Sequence, residues 1–521
     1  MSSRRLAIRS VAFNWLGRAA SLLIAFILTP IIIKGLGREA YGIWAIVMSV
    51  ASYYALADFG MRGAAVKYIA QYSAGKDRES LNQVLAVSLR VYAILAAGTI
   101  AVSAAVAWLF PYVFDIQQQS TRSVQWTVFL CGAAVSARLL GQVFRAALNA
   151  LIRFDARNIL AITAQCLEAG LMIAAVWSGY GLVGMAVAVL FVAVLDQLAG
   201  AVVALRLLKP ISLSRDNFDR DILGKLLRFG SLNVLVNVSG RASRFSGPII
   251  IGALLEPAVV PFFAVADSLT HKALSLTKSV TSVVMPLSGR LHAQDRREDL
   301  AAVLVQTARI LLAIALGLAV VFVFMGRSLI ELWIGPGFSN DTYPILCVMT
   351  AALVVTMVSG GIPSMLTGTG HIRFVAAVQL IRAGITVVLS IVFVLLWGPI
   401  GAAWSALLPR VASHIFILPS YAARQYGLSW PVFMRRVGVS AVLATAPGLI
   451  VAAALANYAP PGRLLEWLIQ ACVVGTVTAV STFLFCMDAG LQKEVLRLLR
   501  LNGRTGVDLK KKQSIQDQPS P

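Results

Sequence analysis

The chain has 521 residues, 58% hydrophobic and only 13% charged, with a mean hydropathy of +0.80. A soluble protein of this length must show water far more polar surface than that, so a soluble class is excluded. The net charge of +22 would suit nucleic acid in a soluble protein, but in a membrane chain basic residues gather in the cytoplasmic loops.

Apolar runs of roughly 18 to 25 residues, enough to cross a bilayer core, recur from end to end. The class is an all-α polytopic membrane protein; the short alternating strands of a membrane β-barrel are missing. Residues 1–9 are basic, yet the following apolar run carries Asn14 and Arg18 and lacks a small-residue cleavage site, so it reads as a first span and not as a signal peptide. Cys131, Cys166, Cys347, Cys472 and Cys486 lie unpaired in apolar runs and read as small buried hydrophobes.

Fourteen spans are expected, near 10–33, 40–66, 83–110, 124–147, 157–178, 181–205, 229–254, 258–286, 302–325, 344–366, 373–397, 400–421, 437–457 and 464–487. With the N-terminus inside, this count puts Arg4, Arg5, Arg9, Lys76, Arg78, Arg153, Arg157, the basic residues of the 206–228 loop, Arg290, Arg296, Arg297, Arg373, Arg424, Arg435, Arg436 and the basic tail on the cytoplasmic side. Lys34, Arg38, Arg122, Arg327 and Arg463 stay outside. Both termini are therefore expected in the cytoplasm.

An internal repeat runs through the order. Pro30-Ile-Ile-Ile matches Pro248-Ile-Ile-Ile at an offset of 218, and Asp77-Arg78 matches Asp295-Arg296 at the same offset. An even number of spans per copy makes two parallel, pseudo-symmetric six-helix bundles. The expected domains are a first bundle over 1–207, a cytoplasmic linker over 208–228, and a second bundle over 229–421. Two additional C-terminal helices over 435–488 and a partly disordered tail over 489–521 follow. The linker alternates basic, acidic and apolar residues, as suits either a short helix on the inner leaflet or a solvated connector.

No catalytic motif, nucleotide loop or metal-ligand spacing appears, so the chain reads as a non-enzyme without a cofactor. What stands out is the set of ionisable residues inside the spans, where each costs about 2.5–3.5 kcal/mol at a helix centre. Asp58 and Arg62 are four apart, as are Asp267 and His271, with Lys272 next to them; Arg241 and Arg244 are three apart. Such spacings share a helical face. Arg18, Arg62, Arg241, Arg244 and Lys272 are the candidate substrate-binding residues of a cationic cavity suited to phosphate or pyrophosphate. Asp58, Asp267 and His271 are the candidates for ion coupling. Blander readings stand beside these: Arg62 and Lys67 snorkel to the headgroups, Asp58 only neutralises Arg62, and Arg145 is an ordinary loop-proximal basic residue.

Several short motifs carry a resemblance. They are Asn14, Pro30, Leu36-Gly37, Tyr41-Gly42, Asp58-Phe59-Gly60 and Ala74-Gly75-Lys76-Asp77, and later Leu332-Trp333-Ile334-Gly335 with Pro344, Thr367 to His371, and Gly398 to Ala403. Together they resemble the polysaccharide transporter (O-antigen flippase) family of the multidrug/oligosaccharidyl-lipid/polysaccharide exporter superfamily. The resemblance implies two six-helix bundles alternating access around a central cavity in a bacterial inner membrane. It implies a substrate of lipid-linked oligosaccharide on an undecaprenyl-pyrophosphate-type lipid, moved to the outer leaflet for surface polysaccharide such as O-antigen or exopolysaccharide. A polymerase and glycosyltransferases are the expected partners, with no nucleic acid. An ion-coupled exporter of drugs or metabolites and a non-transporting scaffold of a polysaccharide assembly complex are the alternative readings.

Overall fold

The computed structural model describes residues 3–58, 60–75, 77–208 and 220–487. The tail and most of the expected linker lie outside the described residues. The helices in order are α1 (Ser3–Leu36), α2 (Arg38–Tyr54), α3 (Met61–Ala74), α4 (Arg78–Val113), α5 (Thr121–Leu140), α6 (Gln142–Ala150), α7 (Phe154–Trp177), α8 (Gly181–Leu208) and α9 (Arg220–Leu254). They continue as α10 (Val260–Ala293), α11 (Arg297–Trp333), α12 (Pro336–Val358), α13 (Ile362–Gly368), α14 (Ile372–Trp397), α15 (Pro399–Val411), α16 (Leu418–Gln425), α17 (Trp430–Tyr458) and α18 (Leu464–Cys486). No strand occurs among the described residues.

Eleven helical stretches among these residues are long and apolar enough to cross a bilayer. The other three expected spans fall on α1, α9 and α10, of 34, 35 and 34 residues. There Arg18, Arg241, Arg244, Asp267 and Lys272 interrupt the apolar run.

The repeat extends well beyond the matching sequence fragments. The ends of α6 and α13, the starts of α7 and α14, and the starts of α8 and α15 are each separated by the same 218 positions. Pro30 and Pro248 occupy corresponding places inside the long helices α1 and α9. The fourth span of each copy is broken near its end, into α5 and α6 in one and α12 and α13 in the other.

The structure departs from the expected elements in four places. The second span is not continuous: α2 gives way to a 3-10 turn over Ala55–Asp58, and α3 begins at Met61. Gly60 makes that re-entry at φ +72°, a left-handed conformation that favours glycine. The loop expected between Leu332 and Pro344 is mostly helix, since α12 begins at Pro336, and proline is tolerated in a first turn. The helix α9 starts at Arg220, within the stretch expected to link the bundles. Finally, Cys166 and Cys472 are exposed on their helices and not buried.

The chain forms two compact units, one of Met1–Lys272, Ile330–Met349 and Arg373–Arg410, the other of Ala273–Leu329, Thr350–Ile372 and Val411–Pro521. In the first, α4 packs on α5, α5 and α7 on α8, α1 on α7, and α3 on α6. Met61, Ile69, Leu81, Tyr92, Val143 and Leu148 are buried at the heart of this packing. The backbones of α2 and the segment after α9 come unusually close. A side chain at Gly42 would put its Cβ 1.8 Å from the Pro257 carbonyl oxygen, which accounts for glycine in the Tyr41-Gly42 motif. In the second unit α17 packs on α18, and the Trp467 indole donates to the Met325 carbonyl at 2.8 Å.

Candidate functional site

The interrupted second span sets the geometry of the site. With the helix broken over Ala55–Asp58, Asp58 and Arg62 no longer lie one turn apart on a single helix. Among the described residues no ion pair joins them, which corrects the expectation of an Asp58–Arg62 pair. The Asp58 carboxylate instead accepts a short hydrogen bond from the hydroxyl of Tyr92 on α4, a side chain with no solvent exposure. The same break leaves helix-terminal carbonyls at the end of α2 in need of donors. Arg241, from α9, donates to the Ser52 carbonyl at 2.5 Å. Its guanidinium feels the charges of Asp58 and of Arg244, one turn along α9.

On the other side of Tyr92 the line of charge continues into the first bundle. Arg62 acts electrostatically on both Tyr92 and Arg157. With Arg145, Arg157, Asn158 and Asp196, it lines a cavity of about 280 Å³. Arg145 makes a close ion pair with Asp196, and the Gln197 amide also donates to that carboxylate at 2.9 Å. Arg157 donates to the side chains of Asn149 and Asn158 at 2.9 and 3.1 Å. Arg145 is therefore an ion-pair partner of Asp196, a contact its place near the loop does not reveal. Lys67 is exposed, its ammonium 5.2 Å from the Tyr68 ring centre.

A second group gathers on α10. The His271 Nε2 lies 3.3 Å from Asp267, as their spacing anticipates. Arg244 acts on both Asp267 and Lys272, and Arg410 of α15 also acts on Asp267. Arg382 of α14 lies within the field of Arg410. The structure thus brings Arg244, Asp267, His271 and Lys272 into one neighbourhood and joins Arg241 and Asp58 to it. Arg62 belongs to the first-bundle cavity. Arg18 lies on α1, but its side chain is outside the described residues. Arg157, Arg410 and Tyr92 are participants that sequence reasoning missed, Arg157 having been placed in a cytoplasmic loop. Arg410 was visible as a charge inside a span, whereas nothing in the sequence singles out Tyr92 among the tyrosines.

At the opposite end of α2 the chain is tied down. Arg38 donates to the Gly337 carbonyl at 3.1 Å, and its guanidinium sits 5.5 and 5.3 Å from the ring centres of Phe262 and Phe338. Trp333 stacks on Phe26 at 4.7 Å and donates its indole N–H to the Phe26 carbonyl at 2.7 Å. The buried Glu39 carboxylate accepts from the backbone N–H groups of Gln117 and Gln118 at 2.8 to 3.0 Å. Beyond α3, Asp77 caps α4 by accepting from the Ser80 backbone at 3.1 Å. Hydrogen bonds from the Ser80 side chain and backbone hold the Asp77 carboxyl below the usual carboxylate range.

Fold and charge together define a polytopic helical membrane protein with ionisable side chains gathered inside its helices. An inward-facing multidrug resistance MATE family transporter of the MOP superfamily aligns with a TM-score of 0.65 at 20% identity, over 78% of this chain and 94% of its own. The lipid II flippase MurJ in an inward closed conformation aligns with a TM-score of 0.70 at 14% identity, over 92% of this chain and 98% of its own. A MOP superfamily transporter from Pyrococcus furiosus, described as having a binding pocket of reversed polarity, gives a TM-score of 0.55 at 18% identity, over 81% and 95%. At these identities the likeness is one of fold. The family model described as polysaccharide biosynthesis protein matches residues 7–292, and the chain belongs to that family. No curated protein matches the sequence significantly.

Proposed function

We propose that the protein is a flippase moving a lipid-linked oligosaccharide of the undecaprenyl-pyrophosphate type from the cytoplasmic to the outer leaflet of a bacterial inner membrane. The observation that carries this reading is the charge balance inside the apolar helices. Arg241, Arg244, Lys272 and Arg410 gather with Asp58 and Asp267, and Arg62, Arg145 and Arg157 line one cavity with Asp196. A group in which basic side chains outnumber acidic ones suits an anionic ligand, and arginine matches phosphate oxygens two at a time. A carrier of cationic drugs needs the opposite balance.

In this reading Arg241 and Arg244, with Arg18, Arg62 and Lys272, hold the diphosphate while the saccharide crosses. Asp58, or Asp267 with His271, carries the coupling ion. The two six-helix bundles over 1–207 and 229–421 alternate access, both termini face the cytoplasm, and the substrate passes between glycosyltransferases and a polymerase. The contacts of Arg38 hold the outer end of α2.

The test is translocation of a fluorescent polyprenyl-pyrophosphate saccharide by the full chain in vesicles, read as protection from an added quencher. Arg241→Gln with Arg244→Gln should slow it by about ten-fold or more, since each lost charge-assisted hydrogen bond is worth about 1.5–3 kcal/mol. Undiminished flipping by a well-folded double variant would refute the electrostatic reading.

A further inference from the structure

The break in the second span opens a second feature beside the charges. Tyr53, Tyr54, Leu56 and Ala57, at the end of α2 and in the 3-10 turn, form one wall of an apolar groove of about 510 Å³. Ile94, Leu95, Gly98 and Val102 of α4 form the opposite wall, and Val238 of α9 closes it. Such a volume falls in the roughly 300–1,000 Å³ range of built binding pockets. The α4 wall is open to the bilayer, for Ile94 and Val102 are 71% and 52% exposed. Each wall turns from apolar to polar within a single helical turn: Ala57 is followed by Asp58, Leu95 is preceded by Tyr92, and Val238 is followed by Arg241. These three polar residues belong to the linked cluster already described. The groove therefore leads from the hydrocarbon to a cationic site, a layout that suits an amphiphile with an anionic head.

We infer that this groove receives the hydrocarbon chain of a polyprenyl pyrophosphate lipid and so delivers its diphosphate to Arg241. The inference rests on the flippase reading, but it adds a chain-binding site on α2, α4 and α9 that the reading itself does not require. Gly98 offers a clean way to close the groove. It lies within the regular helix α4, and a Cβ built there meets no atom within 4 Å. Gly98→Leu therefore places its Cβ in open space and extends the side chain into the groove.

The experiment uses full-length protein in vesicles and a polyprenyl pyrophosphate bearing a diazirine in its chain, with a diazirine-bearing phosphatidylglycerol as the bulk-lipid control. Photolysis should attach the polyprenyl probe to peptides carrying residues 53–57 and 94–102, in competition with unlabelled polyprenyl pyrophosphate. Gly98→Leu should lower that labelling by about ten-fold, the usual scale of overfilling a fitted site, while its melting profile and elution volume stay those of the parent. Equal labelling by phosphatidylglycerol, or labelling that ignores Gly98→Leu, overturns the groove. If the polyprenyl probe still binds and flips in that case, the flippase reading survives alone. If it binds nowhere on the protein, both fall.

Discussion

At the scale of single residues, the structure changes the meaning of Asp58. Its spacing from Arg62 suggests a helical ion pair, yet the local break gives it a hydroxyl from Tyr92 instead. Removing one partner of a buried hydrogen bond costs about 1–3 kcal/mol because the other is left unsatisfied. Tyr92→Phe should thus lower the unfolding midpoint in detergent clearly, whereas Asp58→Asn, which keeps an acceptor oxygen, should lower it less. Equal effects would mean that the hydroxyl is not held by Asp58. The same reasoning applies to Arg145 and Asp196. Losing Asp196 alone, as Asp196→Ala, strands a guanidinium in the bundle. The cost should stay below the ~3–5 kcal/mol of a fully buried pair, because the Arg145 side chain is 32% exposed. Adding Arg145→Gln should recover part of that loss, which thermal denaturation of the single and double variants would measure.

At the scale of elements, two glycines in neighbouring spans serve opposite purposes. Gly42 is where α2 meets the backbone at Pro257, with no room for a Cβ; Gly98 faces open space on α4. Backbone cannot retreat as a flexible side chain can, so Gly42→Leu should prevent accumulation of folded protein, while Gly98→Leu should accumulate normally. Membrane yield and monodispersity by size exclusion compare the two directly. The broken second span shows why this element was hard to read. Ala55 to Asp58 have ordinary helical composition, and only Gly60, at a positive φ, marks the interruption. Apolar content follows transfer into lipid and is blind to such a turn, because neighbouring helices supply the hydrogen bonds that the break releases.

At the scale of the whole molecule, the 218-residue repeat reaches the boundaries of α6 to α8 and α13 to α15, although few residues match across it. The charges inside the spans do not repeat, although the Asp77-Arg78 turn does. Position 62 holds Arg and position 280 Val, and Arg241 corresponds to Leu23. The two copies thus share a helical frame but differ in the chemistry inside it. Reporter fusions check the proposed topology. A cytoplasm-active fluorescent reporter joined after residue 521 or inserted near residue 214 should glow, and one inserted near residue 460 should stay dark.

The sequence by itself determined that the chain is a helical membrane protein, and it revealed the 218-residue internal repeat. These follow from hydropathy over about 20 residues and from fragments matched at one fixed offset, both properties of the chain alone. It also exposed nearly every charged participant, because an ionisable residue in an apolar run is conspicuous wherever it ends up. Only the tertiary structure decided their partners. Asp58 meets Tyr92 from 34 positions away, Arg241 reaches back 189 positions to Ser52, and Arg145 turns inward to Asp196. Such pairings depend on which helix faces lie against each other, and that is set by packing across spans far apart in the chain.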